Sequence, residues 1–239
     1  MRCPHLPFVG ATDASGTYGH GACVAAVSLD RVRALARLST KAGDYVTLPR
    51  AGAAPAHDKL RLGKPHVLDL SLSEFHVVLS VQINEHQHIN LEEGRAFLKY
   101  LRWVLRSSGR FGHRLVVLVD SKVWLCAVTK GRSGSCSLNR LLQRTAALVM
   151  ASGMVLHLIY VPSEYNPSDW PSRGGPHTWP AELRKYRLST MHKIKRPLCE
   201  RFQELRRTLP SDHPIFASSR SRVGTECGYD GDDESGADV

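Results

Sequence analysis

The feature that most constrains this fold is residues 115–119, five consecutive apolar residues reading Leu-Val-Val-Leu-Val. A strand with one face in water alternates apolar and polar side chains, and this segment shows no alternation. It is therefore predicted to be a strand covered on both faces of a partly parallel α/β sheet. Asp120 follows directly. In such sheets ligands bind at the carboxyl ends of parallel strands, which makes Asp120 a candidate functional residue.

Other strand-like and helix-like segments surround this run. The pattern predicts further strands over residues 7–12, 21–27, 75–81 and 156–161. Helices are predicted over 91–106, capped by Asn90, and over 138–151, between a Ser137 cap and a Gly153 stop. Strand, helix, strand, helix, strand is the order of a partly parallel sheet with crossover helices. Residues 31–66, which are basic and then rich in Ala, Gly and Pro, are predicted to be an inserted loop.

The phase of the first of these helices separates two neighbouring acids. Its apolar stripe is centred on Leu101 and consists of Phe97, Leu98, Leu101, Val104 and Leu105. Glu93 lies about 80° from that centre, at the edge of the core face, and Glu92 lies on the opposite side. Glu92 is therefore predicted to be a solvated first-turn acid that favours the helix dipole. Gly94 is predicted to let the helix approach the sheet closely.

Four acids stand at the start of, or just after, structured segments: Asp13, Glu93, Asp120 and Asp169. Each has an ordinary alternative role. Asp13 and Asp169 fit turns, Asp120 fits a helix N-cap, and Glu93 fits a capping box with Asn90. If the four converge, they form an all-oxygen site of the kind that Mg²⁺ or Mn²⁺ prefers, which indicates phosphoryl-transfer chemistry.

Composition favours a nucleic-acid partner. The 239 residues include 32 Lys and Arg against 22 Asp and Glu, a net charge of +10. Such a surface attracts polyanions, although charge for solubility alone is the alternative. The six cysteines form no C-x-x-C pair, and Cys126, in an apolar segment, is predicted to be a small core residue. No stretch approaches the roughly 20 apolar residues of a membrane span. We expect a soluble intracellular protein with no membrane partner, in the nucleus or the cytoplasm.

Four short motifs carry a resemblance to a known family. They are T-D-A-S at 12–15, H-I-N-x-x-E-x-R-A at 88–96, V-D-S at 119–121 and N-P-S-D-x-P-S-R at 166–173. Their order and spacing resemble the ribonuclease H domain of retroelement polyproteins, especially DIRS-like and related long-terminal-repeat elements. The resemblance implies an α/β domain over residues 1–175, with a mixed five-stranded sheet of three antiparallel strands then two parallel ones, and helices on both faces. Composition predicts a basic, partly helical extension over 176–217 and a disordered acidic tail over 218–239.

The same resemblance implies an activity: a metal-dependent endoribonuclease that cuts the RNA strand of RNA–DNA hybrids, using two Mg²⁺ or Mn²⁺ ions. The family's catalytic and metal-binding positions correspond to Asp13, Glu93, Asp120 and Asp169. By this analogy Asp13 bridges both ions, Asp169 helps to hold the ion that activates water, and Glu93 and Asp120 hold the ion on the leaving-group side. Ser121 and Asn166 occupy positions suited to substrate contact, with a turn role as the alternative for Asn166.

Two departures from the family pattern bear on function. Relatives often carry a histidine in the loop before the last acid, whereas residues 161–165 here read Val-Pro-Ser-Glu-Tyr, with Glu164 as the candidate substitute. No polymerase region precedes the first predicted strand, so a reverse transcriptase domain absent from this chain is a candidate partner. The alternatives to an enzyme are a catalytically inactive nucleic-acid-binding module on the same fold and a relic fragment.

Overall fold

The computed structural model describes residues 3–48, 63–85 and 87–174. The strands in these residues are β1 (His5–Ala14), β2 (Gly19–Ala26), β3 (Tyr45–Thr47), β4 (Pro65–Val67), β5 (His76–Gln82), β6 (Arg114–Val119) and β7 (Val155–Tyr160). The helices are α1 (Leu29–Leu38), α2 (Ile89–Val104), α3 (Lys122–Lys130), α4 (Cys136–Ser152) and α5 (Asp169–Ser172). None of these helices combines the length and hydropathy that crossing a bilayer requires.

The strands form one mixed sheet in the order β4-β3-β7-β6-β1-β2-β5. Strands β1 and β2 are antiparallel, as are β2 and β5, whereas β1 with β6 and β6 with β7 are parallel. The predicted arrangement of three antiparallel strands followed by two parallel ones is therefore confirmed. This strand order and these directions agree with the ribonuclease H-like sheet that the sequence resemblance implies, apart from the number of strands.

The apolar run that ends at Asp120 is buried on both faces, as predicted. Within β6, Val116 and Leu118 belong to one hydrophobic core, and Leu115, Val117 and Val119 belong to the other. Helix α1 packs on the first face, and α2, α3 and α4 supply side chains to the core on the second. A strand between two cores has no water-facing side, which explains why its sequence does not alternate.

The prediction of an inserted loop over 31–66 is wrong for residues 31–38, 45–47 and 65–66, which are helix or strand. Helix α1 includes residues 31–38 and buries Val32, Leu35 and Ala36 at helical spacing. The surrounding arginines make the apolar face hard to recognise from the sequence. Strands β3 and β4 extend the sheet beyond β7, so it has seven strands in the described residues rather than five. Residues 49–62 and the predicted segments 176–217 and 218–239 lie outside the described residues.

Several helix boundaries differ from those predicted. Helix α2 begins at Ile89 and is capped by His88, whose Nδ1 accepts a hydrogen bond from Asn90 N at 3.2 Å. Helix α4 begins at Cys136, capped by Ser135 rather than Ser137, and ends as predicted at Gly153, whose φ is 63°. Each observed cap is a polar residue two positions before an equally plausible one, so sequence spacing alone does not choose between them.

Two details of packing also differ. Cys126 is exposed on α3, because that helix buries Trp124 and Ala127 instead. A Cβ at Gly94 would lie 2.8 Å from Trp124 and 3.0 Å from Leu141, so the close approach at Gly94 is to α3 and α4 rather than to the sheet. The close approach of α2 to the sheet occurs at Gly10 of β1, where the Tyr100 ring occupies the space of a side chain.

Candidate metal centre

Two of the candidate acids lie side by side because of strand register. Strand β1 runs parallel to β6 with Thr12 opposite Val119. Asp13 follows Thr12, and Asp120 follows Val119, so both carboxylates lie at the carboxyl ends of adjacent parallel strands. This is the edge where open α/β sheets bind their ligands.

Helix α2 brings the third acid to the same place. Glu93 is the fifth residue of α2. Its Oε1 accepts a hydrogen bond from the backbone N–H of Ala14 at 3.4 Å. Asp13 and Glu93 are both buried, with 4% and 8% of their surface exposed. The role of Glu93 as a capping-box partner of Asn90 is excluded, because the helix begins before Asn90.

One oxygen from each of Asp13, Glu93 and Asp120 lies within 4.8 Å of the others. Burial, followed by the charge of Asp120, raises the pKa of Asp13 to about 8. Burial, then Asp120 and Asp13, raises the pKa of Glu93 to about 9. In the described part of the chain, none of the three forms an ion pair with a cationic side chain. The described residues therefore supply no counter-charge to these carboxylates, and without a cation the ionised forms of Asp13 and Glu93 are disfavoured.

These three acids fit a divalent metal ion. Asp120 Oδ1 is buried and has no hydrogen-bond partner in the described residues, which leaves an oxygen lone pair available to a cation. All the potential ligand atoms are oxygens, and such a set favours Mg²⁺ or Mn²⁺ over Zn²⁺. A cation held between these oxygens would remove both the repulsion among the carboxylates and the cost of burying them.

Asp169 lies at the rim of the cluster rather than within it. Its carboxylate is not among the three that meet within 4.8 Å, and its Oδ1 lies 2.8 Å from Arg173 Nη2 in a partly exposed ion pair. Asp169 is still close enough for its charge to contribute to the raised pKa of Asp13. The structure therefore brings three of the four predicted acids together and leaves the fourth paired with an arginine.

Ser172 connects the rim to the cluster, and sequence reasoning had not singled it out. Its hydroxyl contacts both Asp13 Oδ2 and, at 2.9 Å, the carbonyl oxygen of Asp169. Helix α5 can pack closely on β2 because Gly21 has no side chain. A Cβ at this position would lie only 2.5 Å from Ser172 N. Ser80 of β5 also donates to the Pro171 carbonyl at 2.8 Å. The only sequence signal for Ser172 is its place as the second serine of N-P-S-D-x-P-S-R.

The two predicted substrate-contact residues both have structural partners. Asn166 is buried, donates from Nδ2 to the Thr12 carbonyl at 3.0 Å, and accepts from Ser168 N at 3.0 Å. It thereby ties the loop before Asp169 to the end of β1. Ser121 caps α3 by accepting from Trp124 N at 3.2 Å. Substrate contact at Ser121 and Asn166 remains a prediction. Glu164, the candidate substitute for the loop histidine, is exposed.

The prediction that Glu92 is solvated is wrong. Glu92 is 1% exposed, and its oxygens lie 2.7 Å from His20 Nε2 and 2.6 Å from Arg95 Nη1. Lys99 Nζ lies 2.8 Å from His20 Nδ1. A lysine ammonium can only donate, so Nδ1 accepts and Nε2 carries the proton donated to Glu92. Helix α2 is covered by the sheet and by α4, which buries the side opposite the apolar stripe as well.

Comparisons with known proteins give limited similarity. No protein-family model matches the chain, and no curated protein matches it. Among solved structures, LC11-RNase H1, isolated from compost by a metagenomic approach, matches with 15% identity and a TM-score of 0.40. The match covers 69% of this chain and 91% of that one.

Proposed function

We propose that this chain is a divalent-metal-dependent endoribonuclease that hydrolyses the RNA strand of RNA–DNA hybrids. The observation that carries the proposal is the convergence of buried Asp13 and Glu93 with half-buried Asp120. Their oxygens lie within 4.8 Å of one another, and none of the three pairs with a cationic side chain in the described residues. Like charges placed together in a largely buried site destabilise the folded state, and a bound metal ion would offset this cost. The net charge of +10 favours a polyanionic substrate.

Each residue has a defined part in this proposal. Asp13, Glu93 and Asp120 would hold Mg²⁺ or Mn²⁺, with two ions per site and Asp169 contributing from the rim. Bound ions would supply Lewis-acid activation of water and neutralise charge on the departing 3′ oxygen. Ser172 keeps Asp13 oriented through its hydroxyl. Asn166 fixes the loop that carries Asp169 to β1. Contact with 2′-hydroxyls in the wide minor groove would distinguish RNA from DNA.

Cleavage of a labelled RNA–DNA hybrid in Mg²⁺ tests this function. We expect products with 5′-phosphate and 3′-hydroxyl ends, and no cleavage of an all-DNA duplex. Asp120→Asn should abolish cleavage while leaving hybrid binding intact, because it removes one metal ligand at nearly unchanged shape. Asp30→Asn is the matched control, since Asp30 is an exposed acid of α1 whose ion pair in the described residues is with Arg33. Cleavage that persists in Asp120→Asn, or that needs no divalent ion, contradicts the proposal.

The same assay separates the enzyme from a nucleic-acid-binding module. Hybrid binding without cleavage, unchanged by Asp13→Asn, Glu93→Gln or Asp120→Asn, would support the binding module instead. We further propose a retroelement origin and a reverse transcriptase domain as partner, supported by the order of the four motifs. Sequencing of the genomic DNA that flanks the coding region tests this origin, because it predicts reverse transcriptase coding sequence nearby. Flanks free of such sequence contradict it.

A further inference from the structure

A cleft lies at the opposite end of the strands from the three acids. It is formed where β1 and β6 begin, with His5 opposite Arg114 in the parallel ladder, and helix α1 forms one wall. Its volume is about 750 Å³, within the range typical of small-molecule sites. We call it the arginine cleft and define it by His5, Leu29, Arg33, Arg37, Arg114 and His157.

The arginine cleft is strongly basic. Three arginines line it, and none of the described residues that line it is an Asp or a Glu. Arg33 has an exposed ion pair with Asp30, at 3.0 Å, of the kind that solvent weakens and a ligand can replace. In the described residues, Arg37 and Arg114 have no carboxylate partner. Guanidinium groups bind phosphate through paired N–H donors, so this lining favours a phosphate-bearing ligand over a cation.

Two imidazole rings add unsatisfied polar atoms to the same cleft. His5 and His157 are stacked, with ring centroids 5.9 Å apart, and the Nε2 atom of each is buried without a hydrogen-bond partner in the described residues. Ser39 Oγ donates to the Ala36 carbonyl at 2.7 Å, so His157 Nδ1, 2.9 Å away, donates to Ser39. His157 Nε2 is therefore left without a partner in the neutral ring, and it gains a proton to donate if an anion binds nearby.

The charges around the imidazoles point to the same class of ligand. Burial, followed by the charge of Arg114, lowers the pKa of both His5 and His157. Arg33 also lowers the pKa of His5. A bound anion would offset these guanidinium charges and favour the imidazolium forms, so the histidines and arginines would act together on it. Leu29, an exposed apolar side chain at the mouth, offers contact to an uncharged part of the ligand.

We propose that the arginine cleft binds a nucleotide-sized ligand, with its phosphate on Arg33, Arg37 and Arg114 and its base against the imidazoles and Leu29. Inorganic phosphate alone would leave most of the 750 Å³ unfilled. The ligand has two possible sources with this chemistry: a free mononucleotide or the terminal nucleotide of a strand. The site is separate from the carboxylate cluster and does not depend on the proposed nuclease activity.

Calorimetric titration of the full chain with a 5′-mononucleotide, in EDTA, tests this proposal. EDTA removes divalent ions, so phosphate cannot bind through a metal at the three acids. We expect saturable binding that is weakened about tenfold or more in the double variant Arg33→Gln/Arg37→Gln. Arg31→Gln is the matched control, because Arg31 lies on the same helix, carries the same charge and pairs with exposed Asp69 outside the cleft. It should change the affinity by less than about twofold.

Further arms of the experiment identify the source of the ligand and separate the two proposals. Tighter binding of a 5′-phosphorylated oligonucleotide than of the mononucleotide assigns the cleft to a strand end, and the reverse order assigns it to a free nucleotide. Asp120→Asn should bind the mononucleotide like wild type, and Arg33→Gln/Arg37→Gln should still cleave a hybrid if the proposed function is correct. No mononucleotide binding by the wild type overturns the proposal. Equal weakening in Arg31→Gln also overturns it, because binding would then be diffuse charge attraction.

Discussion

Glu92 and Glu93 are consecutive residues of α2, both buried, and their surroundings are opposite. Glu92 is held by His20 and Arg95, with Lys99 behind His20, so the protein supplies its counter-charge. Glu93 faces Asp13 and Asp120, which carry charge of the same sign. The charge of Glu92 is balanced by side chains of the protein. The repulsion at Glu93 has no counter-charge among the described residues, and protons or an added cation would relieve it. This difference separates a structural carboxylate from a candidate metal ligand more clearly than burial does.

The largest expected difference between the two acids is in activity. If the proposed function holds, Glu93→Gln should lower the rate of hybrid cleavage by about 10³-fold, or about 4 kcal/mol in activation free energy. Glu92→Gln should keep the rate within about tenfold per folded molecule, because Glu92 faces away from the cluster. Single-turnover rates, corrected for the folded fraction by circular dichroism, measure both. Equal losses in the two variants would remove Glu93 from the site.

The second difference is in stability, with the opposite order. Glu92→Gln should lower the free energy of unfolding by about 3 kcal/mol, because it leaves Arg95 and Lys99 without their buried counter-charge. Glu93→Gln, measured without divalent ions, should cost nothing or raise stability, because it removes a carboxyl that folding must either protonate or bury as a charge beside Asp13 and Asp120. Urea denaturation at pH 8 in EDTA compares the two variants. A stability loss in Glu93→Gln as large as that in Glu92→Gln would show that the acids of the cluster are not in conflict.

This contrast also marks how far sequence alone reaches. Residues 115–119 could be predicted as a doubly covered strand because burial on both faces leaves a local pattern. The position of Asp120 after that strand follows from it. The partner of Glu92 could not be predicted, because His20 is 72 residues away and apolar periodicity carries no information about ion pairs. Helix α1 was missed because its buried residues, Val32, Leu35 and Ala36, stand between arginines.

Asp169 shows a different limit. Its motif identifies it as a candidate, but its carboxylate position depends on how helix α5 docks on β2 and β5. That docking requires a residue without a side chain at Gly21 and the hydroxyl of Ser80. Both residues are far from α5 in the sequence. The sequence around neither residue predicts such a contact. Motif order can therefore nominate the residues of a site, whereas their distances follow from tertiary packing.

A third prediction uses the metal itself. Mg²⁺ or Mn²⁺ at 100 times its dissociation constant should raise the free energy of unfolding by about 2.7 kcal/mol, because only the folded state brings the acids together. Glu92→Gln should keep this gain, and Asp13→Asn should lose it. Thermal unfolding in Mg²⁺, against KCl of equal ionic strength, measures the effect. Equal stabilisation of wild type and Asp13→Asn would mean that the ion binds elsewhere.

The smallest expected effect is a pH slope, at most about 1.4 kcal/mol per pH unit from each group. Burial lowers the pKa of His20 from its usual 6.5 to about 4, so its contribution is fully present above pH 6.5 and is lost as pH falls toward 4. Asp13 and Glu93 behave oppositely. Their pKa values, raised to about 8 and 9, make the folded state bind more protons, so their contribution is lost as pH rises through those values.

Between pH 6.5 and 8 the two regions therefore separate, because the contribution of His20 levels off while Asp13 and Glu93 still bind protons only when folded. Without divalent ions, wild-type stability should fall across this window, and Glu93→Gln should show a shallower fall. Saturating Mg²⁺ should flatten the slope, since metal-bound carboxylates are ionised, as they are in the unfolded chain. Urea midpoints at three pH values measure it. A flat or rising wild-type profile in EDTA would mean that the acids ionise freely and need no cation to coexist.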